Sequence, residues 1–242
     1  MNAYNFGSLQ NDSNSLSSDQ LDKLNKLLSE IQTNVNLPPK RTVKNPPTIY
    51  CIDGNIGSGK STALVELKKR GYEVYQEDLP TWGVLLNDYY QNPKRWMCTF
   101  QIRILDSMRK QFEAMCNPTL QRNAKNIVFI ERSPISSMLF VKNGIKKGYL
   151  TFEEASLIFD LYKTMYWQPD ISIFLNTPAD ICHSRKMQRA RECEKNVTLE
   201  DLQTLHEDYL TLYKSNKTTK IIDGLPSTND IVDNILSNLR RS

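Results

Sequence analysis

The run Gly54-Asn55-Ile56-Gly57-Ser58-Gly59-Lys60-Ser61 carries the plainest chemistry in the chain. It fits the spacing Gly-x4-Gly-Lys-Ser in full, and that spacing has a mechanism behind it. Glycines let the backbone turn tightly, so that consecutive N–H groups converge on an anion. The helix that follows adds its positive end. In such a loop Lys60 reaches the β- and γ-phosphates of a nucleoside triphosphate, and the Ser61 hydroxyl is a ligand for Mg²⁺.

A phosphate loop does not name the acceptor. Transfer to a hydroxyl needs a base for its proton and cations to offset charge in the transition state. Glu77 and Glu131 each follow a short apolar segment, and Arg132 stands beside Glu131. Carboxylates at the carboxyl ends of parallel strands sit where ligands bind. A solvated turn carboxylate is the plain alternative, and for Glu77 the two readings stay level. Arg185, Lys186, Arg189 and Arg191 form a basic cluster, in which Arg185 and Arg189 share a helix face. A charge run is ordinarily a solvated face. Beside a phosphate loop it reads as a mobile lid that supplies cations and excludes water. Trp82, Tyr89, Tyr90, Trp96 and Phe100 crowd one stretch; most suit core packing, and some suit stacking on a base.

These residues need a scaffold. Ile49–Ile52, Tyr72–Tyr75, Ile127–Ile130, Ile171–Leu175 and Lys220–Ile222 read as short strands. Helices are expected over Lys60–Arg70, Pro80–Tyr90, Pro93 to Cys116, Thr151 to Trp167, residues 178–192, from Thr198 onward, and near Ser227–Arg240. Thr151 with Glu154 has capping-box spacing, while Ser133-Pro134 reads as a break. Apolar strands alternating with helices predict an α/β fold with a parallel sheet covered on both faces.

Residues 1–45 read as an N-terminal extension, and 46–242 as the catalytic domain. The first eighteen residues are polar enough to be disordered. Leu21, Leu24, Leu27, Leu28 and Ile31 then repeat at helical spacing, which suits a helix laid on the domain or one offered to a partner. Pro38, Pro39, Pro46 and Pro47 mark a linker.

The bulk properties set outer bounds. The 242 residues suffice for a real core, and a net charge of +4 suits a small polyanion without asking for nucleic acid. No apolar run is long enough for a membrane span. Five cysteines with no C-x-x-C pair, and two histidines, argue for reduced thiols and against zinc. No signal-peptide pattern is expected at the N-terminus, so the expected location is cytoplasmic.

Taken together, these residues resemble the deoxynucleoside kinase family: the deoxycytidine, deoxyguanosine and mitochondrial thymidine kinases and the broad-specificity insect enzyme. The loop Asp53 to Thr62 looks like the family's E-G-N-I-G-x-G-K-S-T, with Asp53 in place of Glu. Glu77-Asp78-Leu79-Pro80-Thr81-Trp82 is similar to E-P-V-x-x-W, Phe100-Gln101 to F-Q, and Glu131-Arg132-Ser133 to E-R-S. Arg185, Arg189-Ala190-Arg191 and Glu194 resemble the lid R-x-R-x-R-A-R-x-E-E, with Met187 and Cys193 as departures.

The resemblance implies a P-loop nucleoside-kinase fold, a parallel five-stranded sheet flanked by helices with a helical lid, and a homodimer through its long helices. It implies ATP as donor, held by Gly54, Asn55, Ile56, Gly57, Ser58, Gly59, Lys60, Ser61, Thr62 and the lid arginines Arg185, Arg189 and Arg191. It implies Mg²⁺ between Ser61 and Glu131. Glu77 would be the base for a 5′-hydroxyl, with Arg132 beside it and Lys60 on the phosphates. Trp82 would line the nucleoside pocket, Tyr90 and Glu194 would hold the 3′-hydroxyl, and Phe100 and Gln101 would meet the base. The family's base-stacking Phe falls at Val141 unless one residue is deleted, which brings Phe140 into place. The Arg–Asp pair of the deoxycytidine and deoxyguanosine kinases falls at Met108 and at Ser137 or Ser136, so no charge pair is expected. That favours pyrimidine deoxynucleosides, thymidine first, with a broad range compatible. A nucleoside monophosphate kinase is the rival enzyme, although the Tyr90–Glu194 pairing suits a neutral sugar better than an acceptor phosphate. A regulatory or nucleic-acid-binding ATPase is the rival outside catalysis.

Overall fold

Each central strand of a two-faced sheet must be apolar on both sides. β1 (Thr48–Gly54) meets this with six consecutive buried residues after Thr48. The structure is a computed structural model that describes residues 16–33, 46–117, 126–165, 167–214 and 216–239. In chain order the elements are α1 (Ser18–Thr33), β1, α2 (Lys60–Lys69), β2 (Glu73–Tyr75), α3 (Leu79–Gln91), α4 (Pro93–Met115), β3 (Ile127–Glu131), α5 (Pro134–Lys146), α6 (Phe152–Met165), β4 (Ile171–Asn176), α7 (Ala179–Arg189), a 3-10 turn (Glu192–Glu194), α8 (Leu199–Lys214), β5 (Thr219–Asp223) and α9 (Thr228–Leu239). The five strands form one parallel sheet in the order β2-β3-β1-β4-β5.

The pleat sorts β1 side chains to two faces. Tyr50 and Ile52 join Leu64 and Leu67 of α2 and Val232 and Ile235 of α9. Ile49 and Cys51 face the other way, toward Met115 of α4 and Trp167. Beyond that second face lies the largest apolar cluster, built from α1, α4, α5, α6 and α8. Parallel pairing puts all carboxyl ends at one edge, where Gly54 and Glu131 end their strands.

Two expectations need correction. Ser133-Pro134 does not break the chain; it starts α5, with Pro134 in the first turn, where its missing N–H costs nothing. Ten of the thirteen α5 residues are buried, so the helix lacks the polar face that periodicity would reveal. The basic helix ends at Arg189 rather than residue 192, because Ala190 takes the left-handed conformation (φ 50°).

The expected capping box forms, and the helix that follows Thr198 has one as well. Thr151 exchanges hydrogen bonds with Glu154, and Thr198 with Asp201. Leu24 and Leu28 of α1 are fully buried in the large cluster, and Glu30 pairs with Lys163 of α6 at 3.0 Å. The extension before Leu16 and the linker around Pro38 and Pro39 lie outside the described residues. Among the described residues no helix is long and apolar enough to cross a membrane.

Candidate active site

The loop after β1 wraps the N-terminus of α2. Gly57 and Gly59 have φ of 82° and 102°, conformations that a side chain strains. A Cβ on Gly57 would also lie 2.3 Å from the Cys182 carbonyl oxygen, at the start of α7. Gly57→Ala must therefore move the loop or α7. We expect at least a tenfold loss of ATP affinity by titration calorimetry, and unchanged affinity would refute this account of the turn.

Lys60 is buried, and its Nζ donates to the Asn55 carbonyl at 2.8 Å, inside the loop's concavity. Burial, with Arg132 nearby, lowers its pKa to about 8. The Asn55 side chain is engaged within the protein. It donates to the Leu202 carbonyl at 2.7 Å and accepts from the Ile56 N–H, which ties the loop to α8. Ser61 Oγ donates to both Glu131 oxygens, at 2.9 and 3.0 Å. One hydroxyl and one carboxylate are hard oxygen donors, a set suited to Mg²⁺, which takes few protein ligands and completes its shell with phosphate oxygens and water. Among the described residues no group of three or more His, Cys, Asp or Glu is placed to hold a metal.

Arg132 is the hub. It follows β3 with a φ of 63° and is nearly fully buried. Its Nε donates to Glu77 Oε1 at 3.0 Å, and its Nη1 to Asp53 Oδ1 at 3.3 Å and to the Tyr209 hydroxyl. Phe140 lies under the guanidinium, 5.0 Å from its ring centre. Burial opposes the charge of Arg132, but Tyr209 and the carboxylates Glu77, Asp53 and Glu131 outweigh it and push the pKa up. Burial raises the pKa of Glu77; Arg132 pulls it back, and Glu131 pushes it up again.

A cavity of about 200 Å³ opens beside Glu77 and Arg132. Its wall includes Trp82, Tyr90, Phe100, Gln101, Met108, Ser137, Phe140 and Glu194. Phe100 packs edge-on to Trp82 and stacks on Tyr89. Phe140 faces the cavity, whereas Val141 is buried in the core. Ser137 Oγ donates to Gln101 Oε1 at 2.8 Å, which fixes how the amide meets a ligand. Burial, then Tyr89 and Glu194, raise the pKa of Tyr90, so its hydroxyl keeps its proton.

The residues expected to form a lid divide. Arg185 Nη1 donates to the Ser58 and Gly224 carbonyls, at 3.4 and 3.2 Å, and so spans the loop and the turn after β5. Arg189 and Arg191 both pair with the buried carboxylate of Glu194. Lys186 corrects the reading of the basic cluster. It turns inward beside Cys182, and its Nζ donates to the carbonyls of Glu194 and Val197, so it braces the turn after α7. Tyr209 and Tyr213 carry no expectation from the sequence, and Asp53 stands there only as a departure from the family's loop motif, with no role attached. Their signal was faint: a carboxylate before the loop, and two tyrosines four apart on one helix face.

The arrangement joins an anion loop, a half-buried carboxylate held by a guanidinium, and an aromatic cavity with an oriented amide. It can hold a phosphoryl donor against a hydroxyl acceptor whose planar group sits in the cavity. The comparisons agree. A protein of Frog virus 3 (isolate Goorha), assigned as a deoxynucleoside kinase, is 29% identical over 194 residues, covering 78% of this chain and 92% of that protein. Thymidine kinase 2, mitochondrial, of Homo sapiens is 27% identical over 187 residues, covering 72% of this chain and 68% of that protein. The solved deoxyadenosine kinase of M. mycoides superposes with a TM-score of 0.69 over 80% of this chain and 98% of that one, at 24% identity, which is a likeness of fold. The family model "Deoxynucleoside kinase" matches residues 50–236, most of the chain, and the protein belongs to the deoxynucleoside kinase family.

Proposed function

We propose that the chain transfers the γ-phosphoryl group of ATP to the 5′-hydroxyl of a deoxynucleoside, with pyrimidines favoured and thymidine first. The products would be 5′-monophosphates for nucleotide salvage. One observation carries this reading: the Glu77 carboxylate stands in the wall of the aromatic cavity, hydrogen-bonded to Arg132 and within electrostatic reach of Lys60. Glu77 takes the hydroxyl proton, Lys60 and Arg132 steady the phosphoryl charge, and Arg185, Arg189 and Arg191 attend the donor phosphates. Mg²⁺ bound at Ser61 and Glu131 would neutralise phosphate charge. Catalysis is then mostly positioning and electrostatics. Tyr90 and Glu194 suit a sugar 3′-hydroxyl, and Trp82, Phe100 and Phe140 suit the faces of a nucleoside.

Family membership does not choose the base, since the relatives include a thymidine and a deoxyadenosine kinase. The pyrimidine reading is supported by the cavity wall, where Met108 and Ser137 present no charge pair and the Gln101 amide, its oxygen held by Ser137, lines the space for a base edge. Ser137→Ala would free the Gln101 amide to turn. We expect kcat/KM for thymidine to fall about three- to tenfold, in line with losing a hydrogen bond of about 1 kcal/mol. An unchanged value would refute the orienting role.

The reading also keeps the family's homodimer and a cytoplasmic location; the latter is supported by five free cysteines. The deciding assay supplies ATP and Mg²⁺ with each of the four deoxynucleosides and with thymidylate. The highest kcat/KM is expected with thymidine, then deoxycytidine. Turnover of thymidylate alone would make the chain a monophosphate kinase, and turnover of none would overturn the proposal.

A further inference from the structure

Asp53 does more than precede the phosphate loop. It is completely buried at the end of β1. Its Oδ1 accepts from the Gly54 N–H at 2.8 Å and from Arg132 Nη1 at 3.3 Å, and its Oδ2 accepts from the Tyr213 hydroxyl at 2.7 Å. Tyr209, one turn earlier on α8, meets the same Arg132 nitrogen. A buried carboxylate is costly unless paired. Here the pairing leads through Arg132 Nε to Glu77.

From this geometry we infer that Asp53 is a positioning residue for phosphoryl transfer, acting through Arg132 on Glu77. The inference rests on the role proposed for Glu77. Arginine has a long side chain and a rigid fork of donors. With only Glu77 as partner, the guanidinium is free to swing and engage that carboxylate with both edges, which would weaken it as a base. Asp53 takes the Nη1 edge and shares the positive charge. Tyr213, Tyr209 and Phe140 hold the assembly from α8 and α5. The same carboxylate reaches the first glycine of the loop, so the donor site and the acceptor base are braced from one side chain.

Asp53→Asn tests this without changing shape. Asparagine keeps an acceptor for Gly54, and the Tyr213 hydroxyl can turn to accept from the amide, but the charge that holds Arg132 is gone. We expect kcat to fall at least tenfold while KM for ATP and nucleoside stays within about twofold. In a Glu77→Gln background the same substitution should cost less than threefold, because the group it acts through is already lost. Tyr213→Phe, which removes one hydroxyl and adds no volume, should lower kcat about two- to fivefold, and it keeps the test available if Asp53→Asn does not fold. A merely structural brace predicts raised KM for ATP with kcat intact, or a full tenfold loss on top of Glu77→Gln; either overturns the inference. Wild-type protein that phosphorylates no deoxynucleoside would instead overturn the proposed function, and this inference with it.

Discussion

Glu77→Gln should lose about 10²- to 10⁴-fold in kcat, the usual contribution of a positioned general base, while KM for ATP changes little. The amide keeps the shape and can still accept from Arg132 Nε, but it cannot take a proton. The expected pH behaviour has a definite sign. Burial, with Glu131 close by, raises the Glu77 pKa above its ordinary 4.5 against the pull of Arg132. The acid limb of the kcat profile should therefore fall above 4.5, and vanish in the variant. Stability moves the opposite way from activity. Between 4.5 and the raised value the folded state binds more protons than the unfolded one, so stability declines as pH rises through that window. At neutral pH the charged carboxylate is a burden on the fold, and Glu77→Gln should melt no lower than wild type. A variant that keeps wild-type kcat, or that is inactive only because it unfolds, refutes the role.

Arg132 should be the most sensitive position for fold and turnover together. Its guanidinium serves Glu77, Asp53 and the Tyr209 hydroxyl while lying over Phe140. Arg132→Met removes the charge and leaves Asp53 buried without its cation. Breaking a buried pair in this way costs about 3–5 kcal/mol, enough to lower the urea midpoint by more than 1 M at common slopes. Activity should fall below detection. Arg132→Lys separates charge from geometry. An ammonium is a point charge that cannot serve Glu77 and Asp53 from two edges of one plane. We expect that variant to fold with a loss under about 2 kcal/mol, the scale of one or two hydrogen bonds, yet to keep less than one hundredth of kcat. Near-normal kcat in Arg132→Lys would mean that charge alone suffices and that the fork has no special part.

The phosphate loop was legible because its parts are local. Gly54 to Ser61 sit within one strand–turn–helix unit, so spacing alone constrains how their backbone meets an anion. The strands and most helices were legible for a related reason: apolar runs and capping pairs such as Thr151 with Glu154 act over a few residues. Family resemblance extended that reach to Glu77, Gln101 and Glu131. It also singled out Phe140, which the structure puts on the cavity wall while Val141 goes to the core.

What stayed hidden was set by packing at long sequence separation. α5 carries no periodic signal because its neighbours cover nearly all of its surface, and a helix buried on every side looks like any apolar segment. Lys186 looks like one more lid cation, yet it shares a face with buried Cys182 and spends its charge on backbone carbonyls. Asp53 and Arg132 are 79 residues apart, and Asp53 and Tyr213 are 160 apart. No local rule links such pairs. The order of strands in a parallel sheet decides it, by bringing the ends of β1 and β3 side by side and laying α8 across them. The sequence determined by itself the loop proposed to hold phosphate, whose interactions are short-range. Only the tertiary structure decided which carboxylate restrains Arg132, and so what holds the proposed base in place.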